Sequence, residues 1–151
     1  PLRLVGSEMC IRDRGIGDIE QTFREVFGDP TDNYADGLQR YYESGPKENW
    51  SETYISAYAS SHPLEDWAET WGHYLHIYDA LETAHALQLI PLPPTEMSVS
   101  QRVLAWQQTS MVVNEMNRSI GGTDAYPFTI SPSVVRKLEF VDAVIDQLRA
   151  R

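Results

Sequence analysis

The chain has 151 residues, 42% of them hydrophobic, enough for one domain with a sizeable core. Twelve Lys and Arg against 22 Asp and Glu leave a formal net charge of -10, and the basic residues are scattered. No phosphate-tracking stripe exists, so neither nucleic acid nor an anionic membrane surface is expected as a partner.

No apolar run approaches the roughly 20 residues that span a bilayer, and the beginning of the chain lacks the order of a secretory signal. A soluble, cytoplasmic protein is expected. The single cysteine, Cys10, excludes an internal disulfide and a cysteine-rich zinc site, and it fits a reducing compartment. It lies in LVGSEMCIRDRG, which resembles a translated sequencing adapter. Residues 1–14 are therefore expected to be a non-native tail, and residues 15–151 the domain.

Asp18 precedes IEQTFREVFG, in which Ile19, Phe23, Val26 and Phe27 recur at helical spacing and Gly28 supplies a left-handed stop. Thr31 is the expected cap of a second helix. Tyr34, Leu38, Tyr41 and Tyr42 mark its buried side, and Gly45 with Pro46 ends it. Trp50, Tyr54, Ile55 and Tyr58 follow in a segment that reads as either helix or loop, because Ser and Thr interrupt the pattern.

Pro63 opens a long helix over about 64–87, and three prolines in IPLPPTEM then forbid helix and predict an extended connector. Ser98 or Ser100 can cap QRVLAWQQTSMVVNEMNRSI, which Gly121 and Gly122 terminate. Ser131 as N-cap and Pro132 at the first helical position start the last helix, whose apolar stripe is Val134, Leu138, Val141, Ile145 and Leu148. The fold class is all-α, predominantly helical and without repeats.

The long helix carries the chemistry-bearing residues. At about 100° per residue, Glu65, Glu69, His73 and His76 fall within roughly 80° of one another, with Gly72 in the same sector. Trp67, Trp71, Tyr74 and Tyr78 lie opposite and are expected to face the core. The polar side is either a solvated face or part of a metal site. Imidazole and carboxylate are zinc ligands, and the face has no lysine. One straight helix cannot surround a tetrahedral ion, so a second helix would have to contribute ligands. The usual catalytic donor, His-Glu-x-x-His, does not occur in residues 1–151. Glu82 and His85 form a Glu-x-x-His pair, but a di-iron bundle needs a second such pair, which the sequence lacks.

ASSHPLEDWAETWGHYLHIYDALETA resembles the bacterial zinc-binding metallopeptidase family, as do FREVFGD, YADGLQRYY, NEMNRSIG and AYPFTISPSVVRKLEFV. The resemblance runs from about Gly17 to near the C-terminus. It implies the C-terminal helical part of a gluzincin-like zinc peptidase domain, whose His-Glu-x-x-His helix would precede FREVFGD, where this chain has the adapter-like residues.

A more distant similarity, to the zinc peptidase domain of anthrax lethal factor, implies roles. That domain has a tyrosine, six residues, then a Glu-aromatic-aromatic-Ala-Glu run whose first glutamate ligates zinc. Here Tyr58 precedes Glu65-Asp66-Trp67-Ala68-Glu69 by the same interval, with Asp66 departing from the aromatic expected second. Carried over, Glu65 is the third zinc ligand and Tyr58 the oxyanion partner. Glu69, His73, His76 and His62 would support them from behind the ligands, and a peptide or protein would be the substrate. The competing reading is a non-catalytic helical protein-binding module or a pseudoenzyme.

Overall fold

The computed structural model describes residues 19–150. Cys10, the adapter-like residues, Gly15, Gly17 and Asp18 lie outside the described residues. Among the described residues there are five α-helices: α1 (Ile19–Phe27), α2 (Tyr34–Ser44), α3 (Pro63–Ala86), α4 (Val99–Ser119) and α5 (Pro132–Arg149). Short 3-10 turns at Trp50–Glu52, Tyr58–Ser61 and Pro94–Glu96 complete the elements, and no strand occurs among the described residues. The all-α expectation holds. None of the described helices is long and apolar enough to cross a membrane.

Local chemistry sets most boundaries. Gly28 ends α1 at φ 101°, a conformation that favours glycine, and α5 starts where Ser131 accepts from the Val134 N–H with Pro132 behind it. Ser98 caps α4 in a reciprocal box with Gln101, each side chain bonding the other's backbone N–H. At α2 the cap is Asn33, whose side chain accepts from the Asp36 N–H. Thr31 was the expected cap; its hydroxyl is instead spent on Asp29 at 2.7 Å. The segment that read as helix or loop is built from two 3-10 turns around the fully buried Ile55. The proline-rich connector stays free of α-helix, but Pro94 opens a 3-10 turn and is itself buried.

The long helix α3 runs through the core and packs against the Tyr58–Ser61 turn, α4 and α5. Its buried residues are Asp66, Thr70, His73, Tyr74, Ile77, Leu81 and Ala84. At about 100° per residue these occupy a single arc of roughly 100° that lies between the polar and the aromatic sides. Trp67, Trp71 and Tyr78 sit at its margin, half-buried, so the core is centred away from the aromatic side. Two polar residues, Asp66 and Thr70, conceal that arc in the sequence. Phe23 and Phe27 of α1, Trp67 of α3 and Phe140 of α5 stack edge-on with centroids 5.4–6.2 Å apart across the helices, which ties α1 to the bundle.

Two buried charged networks lock the helices together. Lys137 of α5 reaches Asp66 Oδ2 of α3 at 2.6 Å and the Thr53 carbonyl at 2.7 Å, with its ammonium 4.4 Å from the Tyr54 ring centre. Arg102 of α4 donates to Asp142 of α5 at 2.8 Å and to the Tyr74 hydroxyl of α3 at 2.7 Å, and Tyr74 donates to Asp142 at 2.5 Å. The expected stripe of α5 holds at Val134, Leu138 and Val141, whereas Leu148, in the last turn, is 58% exposed. On α2 the exposed Tyr34 and Tyr42 depart from the expected buried side, since Gly37 and not the tyrosines makes the closest approach.

Candidate functional site

The start of α3 is where the residues singled out in the sequence converge. His62 is the N-cap: its Nδ1 accepts from the Leu64 N–H at 3.1 Å, which places the ring proton on Nε2, 3.0 Å from the Asp32 carbonyl. Pro63 occupies the first helical position, so no backbone N–H is lost there. Glu65 follows within the first turn, where the helix dipole favours a carboxylate.

Glu65 is not left to solvent. The Tyr34 hydroxyl, on α2, donates to its Oε1, and the hydrogen bonds among the described residues leave Oε2 unused. That bond holds the Tyr34 phenol in its protonated form and pushes its pKa up to about 12. Tyr58, in the turn that leads into α3, also has a raised pKa, first from burial and then from the Glu65 charge nearby. Two phenols that stay protonated and one carboxylate therefore meet at one place. Tyr58 is in turn held edge-on by Tyr41 of α2, ring centres 5.6 Å apart.

The neighbouring positions divide. Glu69, one turn beyond Glu65, accepts from the Ser56 hydroxyl at 2.8 Å and stays on the same side. His76 is exposed. His73 is only 8% exposed and turns to the Tyr126–Phe128 segment, its Nδ1 lying 2.8 Å from the Tyr126 hydroxyl and its ring 4.6 Å from that of Phe128. Burial lowers its pKa and favours the neutral ring. His62 contacts the Tyr34 ring edge-on at 5.1 Å and so supports the Glu65 partner. The residue that sequence reasoning missed is Tyr34, read as part of a buried helix side. Its place directly after Asn33 marks it as the first residue of a helix, but nothing local names a partner 31 residues away.

Glu65 suits zinc in kind, being a carboxylate with one oxygen held and one unused. The set is incomplete in number: among the described residues no three His, Cys, Asp or Glu side chains form a group that could hold a metal ion.

With this geometry in view, comparison with known proteins defines the class. The chain belongs to the family described as "Putative zinc-binding metallo-peptidase", whose model matches residues 8–144. It is 39% identical over 138 residues to "Uncharacterized protein Rv2568c" of Mycobacterium tuberculosis and, to the same extent, to "Uncharacterized protein Mb2598c" of Mycobacterium bovis. Those matches cover 87% of this chain and 40% of each relative, so the chain spans less than half the length of the curated relatives it matches. No solved structure matches it.

Proposed function

We propose that this chain is the C-terminal helical part of a gluzincin-type zinc peptidase, with Glu65 as the third metal ligand and two histidines supplied by a His-Glu-x-x-His helix outside the described residues. The observation that carries the reading is the meeting of Glu65 with Tyr34 and Tyr58 at the capped start of α3. Family membership supports zinc as the metal. A peptide or protein is the proposed substrate, and the cytoplasm the proposed location.

Zinc, when bound, supplies Lewis-acid activation of water and of the peptide carbonyl. The chain's own residues do the rest. Glu65 contributes one anionic oxygen, and the cap provided by His62 with the first-turn position of Glu65 fixes where that oxygen sits. Tyr58 keeps its proton near the Glu65 charge and can donate a hydrogen bond to the oxyanion that develops on the scissile carbonyl. Glu69, held by Ser56, adds negative charge on the same side and favours a bound cation. Tyr58→Phe in the full-length protein tests the assignment. Loss of one oxyanion donor lowers kcat by about 100- to 1,000-fold with little change in KM; an unchanged kcat removes Tyr58 from the chemistry.

A second reading, a protein-binding module without catalysis, draws on α4, where Leu104, Met111, Val112 and Met116 are exposed, as is Ile120 directly after it. It differs in one measurable respect: Glu65→Ala would leave both metal content and partner binding intact.

A further inference from the structure

We propose that Tyr34 is a positioning residue for Glu65, a phenol whose hydrogen bond selects the carboxylate orientation that the metal meets. The inference rests on the reading of Glu65 as a ligand and adds a residue to it. A glutamate on a helix surface samples several rotamers about three side-chain bonds, and a ligand that must be ordered on binding loses affinity by that entropy. At Glu65 the ordering is already done, because the Tyr34 hydroxyl occupies Oε1 and leaves Oε2 unused among the described hydrogen bonds.

Tyr34 can do this because it is itself held. It is the first residue of α2, fixed there by the Asn33 cap. Its ring rests edge-on against His62 at 5.1 Å, and both nitrogens of that imidazole are engaged, one by the Leu64 N–H and one by the Asp32 carbonyl. The stretch from Asp32 to Tyr34 thus grips the start of α3 twice, through its backbone on His62 and through its side chain on Glu65. The close seat of α2 depends on Gly37, where a Cβ would come within 2.8 Å of the Ser61 carbonyl oxygen. The Tyr34 side chain itself is not a core residue, being 42% exposed. A packing tyrosine would be buried; this one spends its hydroxyl on a carboxylate at the surface. Hydrogen bonds to metal-ligating side chains from behind are worth about 10- to 100-fold in metal affinity.

The test is zinc affinity of the full-length protein, read by competition with a chromophoric chelator, for wild type, Tyr34→Phe, Tyr42→Phe and Glu65→Gln. Phenylalanine keeps the ring on His62 and removes only the hydroxyl. Tyr34→Phe is expected to weaken zinc by about 10-fold or more, with the thermal midpoint of the zinc-free protein unchanged. Tyr42→Phe, an exposed tyrosine on the same helix, is expected to change neither. Zinc affinity that is unaltered or tighter in Tyr34→Phe, while Glu65→Gln weakens it, overturns the positioning role and leaves Glu65 a ligand. Unaltered affinity in Glu65→Gln overturns the ligand reading and this inference with it.

Discussion

Lys137 Nζ and Asp66 Oδ2 meet 2.6 Å apart inside the bundle, 71 residues apart along the chain, with Lys137 3% exposed and Asp66 fully buried. The lysine answers a carboxylate that α3 carries into its core arc, and it closes α5 onto α3. Breaking such a pair from one side strands the other charge and costs about 3–5 kcal/mol, whereas replacing both partners with apolar residues is close to neutral. Lys137→Met is therefore expected to lose most of that range in urea unfolding. Combining it with Asp66→Leu is expected to restore most of the loss. Equal losses in the single and double variants would show that the pair does not act as a unit.

Asp66 also sets a pH signature. Burial raises its pKa to about 6, against the pull of Lys137, while the unfolded value is 3.8. A carboxyl whose folded pKa lies above its unfolded one contributes stability that is present below about pH 4 and lost as pH climbs to about 6. The difference in unfolding free energy between wild type and Asp66→Asn is expected to shift against wild type across that window. A difference that stays flat from pH 4 to pH 6 would rule out titration of Asp66 there.

Gly37→Ala probes how α2 reaches the site. The added methyl would come within 2.8 Å of the Ser61 carbonyl oxygen, a backbone atom that cannot swing aside. Overpacking of this kind costs about 1–3 kcal/mol. The substitution is also expected to lift Tyr34 off Glu65, a displacement readable in the chemical shift of the Glu65 carboxyl carbon. A carboxyl signal that does not move would mean that α2 tolerates the methyl in place.

What the sequence discloses and what it hides divide along range. Gly28, Ser98 with Gln101, and Ser131 with Pro132 act within four residues of themselves, so the ends of α1, α4 and α5 are readable from residue order. Thr31 is not the cap of α2, because its hydroxyl bonds Asp29, and Asn33, two residues on, accepts from the Asp36 N–H in its place. The aromatic side of α3 does pack on the core, but the centre of the buried arc is hidden in the sequence because Asp66 and Thr70 lie in it, and the chief partner of the buried Asp66, Lys137, is 71 residues on. His73 read as part of a polar face until Tyr126 supplied it with a buried partner 53 residues away. The resemblance singles out Glu65 and Tyr58, whose roles are the proposal made above; nothing in the sequence singles out Tyr34, since its partner is 31 residues distant and its helix reads as ordinary.

The 151-residue chain by itself is expected to bind zinc weakly at most, because Glu65 is the one ligand that the account assigns to it. Calorimetric titration of zinc into this chain should give no stoichiometric transition. Tight one-to-one binding would place a complete ligand set within these residues and refute the assignment of the other two ligands elsewhere.

The central claim, that Glu65 ligates zinc, is tested most directly by the metal content of the full-length protein with and without that side chain. One zinc per chain is expected in wild type and its loss on dialysis in Glu65→Ala, while Glu82→Ala, on the exposed face farther along α3, keeps the metal. Full zinc retention by Glu65→Ala would contradict that claim.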